Sequence, residues 1–477
     1  MGELVFQPQN AHRVSVDARA LLFHVPTTAL FEIDALDGAV LDFFAERGRA
    51  DAQAMQARFA GADPAALADR LRTLIDLGIL TDGRAPEPER PPIAIRQLPL
   101  TTIVLNVNTG CNLSCTYCYK EDLDTPAAGR RMGFETAVRA IDLLLAESPD
   151  RDRYNIVFFG GEPLSNLSLI RQVVDHAENR FGRLGAAVDF SLTTNATLLT
   201  PAIVDWLDAH RFGLTVSMDG PKALHDRNRM TVGGKGSYDA VAAKARMLLA
   251  RYRSRPVGAR VTLTAGVTDV VAIWDHLKND LGFAEVGFSP VTSGPMTAFN
   301  LHGEELAGVF EGMKTLGRHY RDAAIAGCNI GFSNMHQLMQ DLVEGRSKAL
   351  PCGAGVGMLA VDHAGAIGLC HRFTGSEAGA FGSLDAGLER DRLTDFIEAR
   401  AERSGKGCAT CRIRNLCAGG CYHESYAHFG DPLKPAYHYC DLLRDWVDFG
   451  IGIYAEIAAR APQFFRTAIA PRRAQGK

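Results

Sequence analysis

Cys111, Cys115 and Cys118 share one short stretch, NTGCNLSCTYCYKED at 108–122, with three and then two residues between them. A disulfide pairs two thiols and leaves the third over. A tetrahedral zinc site asks for a fourth ligand, which here would have to come from a distant part of the chain. A cubane iron–sulfur cluster has four iron corners, each normally held by a Cys thiolate. Three thiolates from one loop then hold three irons and leave one exposed. An exposed iron can bind and reduce something, as the open position of a catalytic zinc site does.

The remaining cysteines cluster as well. Of eleven in the chain, none lies between 118 and 328, and eight fall between 328 and 440. Cys352 and Cys370 flank Gly365. CATCRIRNLCAGGC then places Cys408, Cys411, Cys417 and Cys421 at C-x2-C-x5-C-x3-C, and Cys440 follows. Clusters of this kind read as metal ligands rather than as scattered core thiols. A zinc ribbon is the simpler account of the 408–421 group taken alone. Cys328, in GCNIGFS, reads as a plain buried thiol.

Composition sets the frame for these sites. The chain of 477 residues is 47% hydrophobic and 22% charged, as an ordinary globular protein is. A formal charge of −4 without any basic run carries no nucleic-acid footprint. No apolar run approaches membrane-spanning length, and the start MGELVFQPQN lacks a basic region followed by an apolar core, so the default compartment is cytoplasmic. Disulfides rarely persist there, which again favours metal ligation.

The elements that must position the cysteines follow from periodicity. TTIVLNV, YNIVFFG, VDFSLTT, GLTVSMD, ARVTLTAG and AEVGFSPV are strand-like, and the helical patterns between them include ETAVRAIDLLLAE and SYDAVAAKARMLLARY. Six such units predict a partial (β/α)6 barrel over 100–340, with Cys111, Cys115 and Cys118 on the loop after its first strand. Active sites of such folds sit at that end of the strands. Residues 1–83 read as a unit of their own. HRVSVDARALLFHVPTTALFEI makes three strands, with Ala29, Phe31 and Ile33 alternating in the last. Three helices follow, with Asp37 and Asp63 as N-caps. This winged-helix-like pattern is either a structural appendage or a recognition module. A Pro-rich linker, 84–99, joins it to the barrel. A Cys-rich region spans 341–450, and a C-terminal helix and tail span 451–477.

CNLSCTYC resembles the signature of the radical S-adenosylmethionine (SAM) enzymes, and four further motifs match that superfamily in order. GGEP, with Gly160, Gly161 and Glu162, would set backbone against the methionyl amino group. TTNATLL, with Thr194 and Asn195, resembles the polar turn opposite the cofactor. SMDGP and HDRNR would offer Ser217 and Arg229 to the cofactor carboxylate. GFSPV lies where the family approaches the adenine. Tyr117, inside the signature, is placed at the cofactor by the same resemblance. Asp219 is the best-placed acid for a catalytic role, although a structural one is the plainer reading. The resemblance implies a 5′-deoxyadenosyl radical, made by one-electron cleavage of SAM, that removes hydrogen from an unactivated carbon. The protein positions the cofactor and excludes water.

The later cysteines resemble the SPASM extension of peptide-modifying radical enzymes. Carried over by position, Cys408, Cys411, Cys417 and Cys440 hold one auxiliary cluster and Cys352, Cys370 and Cys421 the other, giving three iron–sulfur clusters of the [4Fe-4S] type. The second set is one ligand short. Cys328, Met358, Asp362, His363 and His371 are the candidates to complete it, and an iron open to a substrate thiolate is the alternative. The N-terminal unit resembles the domain that receives a leader peptide as an added strand. Removing it is then expected to weaken substrate binding and spare cofactor cleavage. The expected partners are a ribosomally made peptide or small protein subunit and an electron donor such as flavodoxin or ferredoxin. The flanks of the first motif look most like the maturases of quinohemoprotein amine dehydrogenase, which join Cys sulfur to Asp or Glu methylene carbons. Other SPASM cross-linking enzymes and sulfatase maturases are the alternatives. An iron–sulfur electron carrier or peptide-binding scaffold belongs to a different class and leaves GGEP and SMDGP without a purpose.

Overall fold

The computed structural model describes residues 3–16, 19–82, 98–119, 129–294, 297–402, 407–434 and 438–469. Nearly all of the expected linker, the 120–128 part of the first Cys loop, and the end of the tail lie outside the described residues.

The N-terminal unit begins with β1 (Leu4–Phe6), β2 (Ala11–Val16), β3 (Arg19–His24) and β4 (Ala29–Ile33). It continues through α1 (Ala35–Arg47), β5 (Arg49–Ala50), α2 (Ala52–Arg58), α3 (Pro64–Asp76) and β6 (Leu80–Thr81). The three expected strands form one antiparallel sheet, β2-β3-β4, and β5-β1-β6 form a second. The N-cap of α1 is Asp34, three residues before the expected one. Asp34 accepts from the Asp37 amide while the Asp37 side chain accepts from the Asp34 amide, so Asp37 is the third residue of a reciprocal capping box. Asp63 caps α3 as expected, with Pro64 at its first turn. On β4, Ile33 is buried but Phe31 is 39% exposed, so the alternation holds in direction and not in burial.

This unit is not a free appendage. Phe23 and Val25 belong to the main core rather than to the small core around Val40, Phe44, Leu71 and Leu74. The Asn415 amide donates to the carbonyls of Val25 (2.9 Å) and Pro26 (3.1 Å), and Arg414 donates to the Asn10 side chain (2.7 Å). His12 reaches Asp448 at 2.9 Å, and Arg412 pairs with the same carboxylate. Arg412, Arg414 and Asn415 all lie between Cys411 and Cys417. Removing 1–83 would therefore strip the support of a cysteine loop, contrary to the separable module read from the sequence. A milder change isolates the effect. Asn415→Ala leaves two carbonyls without their donor and is expected to cost about 1–3 kcal/mol, read as a lowered denaturation midpoint.

The main body follows as β7 (Thr102–Asn108), α4 (Phe134–Glu147), β8 (Arg153–Gly160), α5 (Leu167–Arg183), β9 (Ala187–Thr194), α6 (Pro201–Ala209) and β10 (Gly213–Ser217). After these come α7 (Lys222–Asn228), α8 (Tyr238–Arg251), β11 (Val257–Leu263), α9 (Val270–Asp275), β12 (Glu285–Pro290), α10 (Gly303–Ile325) and α11 (Ser333–Val343). All six expected strands form, parallel and in sequential order. The alternation in β7 explains its placement. Ile103, Leu105 and Val107 join the core with Ile141 and Leu144 of α4, which leaves Asn106 and Asn108 on the opposite face.

The expected break at 340 is not a break in the sheet. β13 (Met358–Val361) pairs in parallel with β7, and β14 (Ala366–Gly368), β15 (Ala380–Ser383) and β16 (Gly387–Leu388) extend the sheet antiparallel to ten strands. The Cys-rich region is thus tied to the strand whose loop carries the first cysteines. Its helices are α12 (Arg390–Ala401), α13 (Arg414–Cys417), α14 (Tyr422–Phe429) and α15 (Cys440–Arg460), and α16 (Gln463–Ala468) follows. No described helix is long and apolar enough to cross a membrane.

Candidate active site

The loop after β7 brings Cys111, Cys115 and Cys118 together and is laced to the segment after α7. The Ser114 amide donates to the Met230 carbonyl (2.8 Å), the Thr116 amide to Asn228 (3.0 Å), and the Cys118 amide closes a turn on Cys115 (3.0 Å). The Leu113 amide and the Asn195 side chain point at the Cys111 sulfur, at 3.4 and 3.6 Å. Burial pushes the Cys111 thiol up to about 11 and Cys115 to about 12. Such thiols stay protonated until a metal displaces the proton. Three soft donors on one loop, with N–H groups aimed at a sulfur, fit a cluster held at three corners.

Around the triad, the polar motif residues hold one another. Asn108 donates through one amide nitrogen to the Gly110 and Glu162 carbonyls. Glu162, 1% exposed, accepts from the amides of Leu164 (3.1 Å) and Asn195 (2.8 Å) and from the Thr194 hydroxyl (2.8 Å). It therefore ties the end of β8 to the end of β9. Gly160 and Gly161 allow this turn to lie on the 108–110 backbone, because a Cβ at either would collide with it. Gly160 also has φ +147°. Burial raises the Glu162 carboxyl to about 7 from 4.5. A folded-state pKa above the unfolded one stabilises the protonated chain below about pH 4.5, and that contribution fades as pH rises through 7. Relative to Glu162→Gln, the cofactor-free protein should lose about 3 kcal/mol of stability between pH 4.5 and 8, measured by denaturant titration.

Beyond β10, Asp219 and Arg229 form a buried ion pair, 0% and 8% exposed at their side chains, with Nε at 2.8 Å from the carboxylate. Asp219 also accepts from the Tyr117 hydroxyl (2.6 Å) and the Thr262 amide (2.9 Å). Arg229 lies over the Tyr117 ring, with its central carbon 5.5 Å from the centroid. Burial acts to lower the Arg229 pKa, and Asp219 and Tyr117 outweigh it. Asp219 thus has the surroundings of a positioning residue. Ser217, the last residue of β10, pairs in register with Arg260 of β11.

The eight later cysteines separate by place. Cys417 has Cys440, Cys411 and Cys408 as its neighbours, and Cys370 has Cys421 and Cys352. These groups coincide with the two sets that the resemblance implies. Arg400, fully buried on α12, clamps the turn between them by donating to the carbonyls of Gly419 (2.8 Å) and Gly420 (2.7 Å). Cys328 is exposed, not buried, and follows α10 beside the segment that pairs with the start of β12. That is the end of the sheet opposite the first cysteines. Asp362 closes its own turn by accepting from the Ala364 and Ala366 amides. His371 stacks on Phe159 of β8 at 4.0 Å. Met358 starts β13, opposite Thr102 of β7, and His363 lies in the turn that follows β13.

Several residues of this face carry no motif. Asn106 lines a cavity of about 160 Å³ with Cys370 and Phe373, and neither of its amide atoms has a partner. The Asn108 amide oxygen is likewise buried and unpaired. Arg372 lies 5.0 Å from the Tyr119 ring, next to Cys118, and points a nitrogen at Cys421 Sγ at 3.9 Å. The signal for Asn106 and Asn108 was present in the sequence, as polar residues alternating within an apolar strand.

Residues 105–275 match the family model described as the radical SAM superfamily. The serine-type anaerobic sulfatase-maturating enzyme of Klebsiella aerogenes is 25% identical over 79% of this chain and 95% of its own length. The radical SAM cyclopropyl synthase TigE of Paramaledivibacter caminithermalis is 22% identical over 72% of each chain. Among solved structures, anSMEcpe with bound AdoMet and Cp18Cys peptide superposes with TM-score 0.63, at 20% identity, over 76% of this chain and 99% of that one. The fold is the radical SAM α/β fold with a large parallel sheet.

Proposed function

We propose that this chain, whose residues 105–275 match the radical SAM superfamily, is a maturase that modifies a ribosomally made peptide or protein. When bound, a [4Fe-4S] cluster and SAM supply a carbon-centred 5′-deoxyadenosyl oxidant. Cys111, Cys115 and Cys118 would hold that cluster. Thr194, Asn195 and Glu162 fix the strand ends at that loop, and Ser217 and Arg229 would serve the carboxylate end of the cofactor. Asn106 and Asn108 offer buried, unpaired amide groups on the same side of the sheet, and dry polar groups of this kind orient a ligand without competition from water.

The observation that carries the reading is the arrangement of the cysteines. One triad sits at the end of β7, and two further sets lie in a region tied to the same strand through β13. Within this class, we read the reaction as thioether formation between a Cys sulfur and an Asp or Glu methylene carbon, as in the small subunit of quinohemoprotein amine dehydrogenase. The Cys352, Cys370 and Cys421 set would hold the metal that receives the acceptor sulfur, which would favour the thiolate without a separate base. The length of the match to the Klebsiella aerogenes enzyme favours a second reading, oxidation of a Ser or Cys side chain in a sulfatase. The described β4 edge, with Phe31 exposed, is the surface on which a leader peptide would add a strand. The test is anaerobic incubation with dithionite and SAM. Formation of 5′-deoxyadenosine is expected; an electron carrier or scaffold forms none. Loss of two hydrogens from a Cys- and Asp-containing peptide encoded beside the gene, with the sulfur retained but no longer alkylated by iodoacetamide and no aldehyde trapped by a hydrazide, separates thioether formation from sulfatase maturation, which ends in an aldehyde.

A further inference from the structure

His225, the first residue of HDRNR, is fully buried on α7. Its Nδ1 accepts from the Asp219 backbone amide at 3.3 Å. An amide N–H can only donate, so Nδ1 is the bare nitrogen and the ring proton sits on Nε2. That nitrogen lies 3.0 Å from the Ser237 hydroxyl, which in turn donates to the Arg229 carbonyl at 2.7 Å. The Arg229 side chain closes the circuit by donating through Nε to the Asp219 carboxylate at 2.8 Å. Every donor in the ring of contacts meets an acceptor, and all four residues are buried. Burial, then Arg229, holds the imidazole down at about 4, in the neutral form that the circuit needs. A second proton, on Nδ1, would face the Asp219 amide hydrogen.

Arg229 is thus gripped at two points, by Ser237 on its backbone and by Asp219 on its guanidinium. Among the described residues Asp219 engages only Nε, and the two terminal nitrogens of the fork are not sealed from solvent. A guanidinium clamped at Nε with its fork open is set to meet an anion. The backbone on either side of Arg229 carries the first cysteine loop, since the Asn228 and Met230 carbonyls accept from the Thr116 and Ser114 amides. Those two amides flank Cys115. We propose that His225 is a positioning residue that, through Ser237, sets the direction in which Arg229 presents its fork to the carboxylate of SAM. This rests on the radical SAM reading above, in which Arg229 would serve that carboxylate. Being wholly buried, His225 acts through Arg229 alone.

The probes are SAM and its decarboxylated form, which keeps the sulfonium and the amine and lacks the carboxylate. Both are titrated by calorimetry into the anaerobically reconstituted full-length protein, without reductant, so that neither is cleaved. SAM should bind at least about tenfold more tightly than the decarboxylated form, the order of a hydrogen bond to a charged group. His225→Phe keeps a ring and loses both hydrogen bonds, and it should lower that preference about tenfold through weaker SAM binding. Ser237→Ala cuts the same circuit one link on and should lower it as well; it decides the matter should His225→Phe not fold. His225→Gln, whose amide N–H can reach the Ser237 hydroxyl, should keep most of the preference and so separates the hydrogen bond from the ring. An undiminished preference in His225→Phe and Ser237→Ala overturns the proposal. So does an equal loss of affinity for both ligands, which marks a loosened site rather than a turned cation. The two readings fail differently. An unaltered protein that binds SAM without preference removes the role of Arg229 and this proposal together, whereas a preference that survives the variants removes this proposal alone.

Discussion

Replacing Cys111, Cys115 and Cys118 together by alanine is expected to abolish 5′-deoxyadenosine formation and to remove about four of about twelve irons per chain. The loop that carries them is held by backbone bonds to Asn228 and Met230 and by the Thr116 side chain on Asn228, none of which uses a sulfur. The fold should therefore survive the change. The auxiliary thiols sit on other elements: Cys417 ends α13, Cys421 precedes α14, and Cys440 opens α15. Arg400 braces the turn between Cys417 and Cys421 from below, independently of the β7 loop. Iron and sulfide analysis beside chromatography of the nucleoside product checks both halves. A triple variant that kept its product yield would move the active cluster elsewhere, and one that lost all its iron would make the three sets interdependent.

The elements around that loop were legible because two periods dominate the chain. Alternation in TTIVLNV and YNIVFFG, and three-to-four spacing in α4, leave little choice of strand or helix. The grouping of the seven later cysteines was legible only through the resemblance, because C-x2-C-x5-C-x3-C runs on to Cys421, which lies with Cys370 and Cys352 rather than with Cys417. Long-range pairing was not. β13 is four residues long, and nothing in MLAV announces that it lies beside β7. The support of the Cys411–Cys417 loop by Asn10, Val25 and Pro26 was equally hidden, because it joins residues about 390 apart through one amide and one guanidinium. Cys328 shows the limit of a composition argument: a lone thiol in an apolar-looking stretch reads as buried, but GCNIG turns it outward after α10.

Asp219→Ala is expected to cost about 3–5 kcal/mol of stability, the largest single-residue effect in the site. The carboxylate is wholly buried, and three groups depend on it: the Arg229 side chain, the Tyr117 hydroxyl and the Thr262 amide. Deleting it leaves a guanidinium charge out of water with no counterion, which is the expensive half of a buried pair. Replacing both partners by apolar groups of similar size is far milder, so Asp219→Leu with Arg229→Met should regain most of the loss in a denaturant titration. Cofactor chemistry separates the roles further. If Arg229 faces the cofactor carboxylate, the double variant folds but binds SAM poorly, and the midpoint recovers while SAM affinity does not. If Asp219 were itself a catalytic acid, Asp219→Asn would abolish turnover at unchanged SAM affinity and near-normal stability. The geometry opposes that outcome: an amide in place of the carboxylate keeps the volume but loses the charge that Arg229 requires. Asp219→Asn should therefore lower the denaturation midpoint and SAM affinity together, as a residue acting through Arg229 and Tyr117 must.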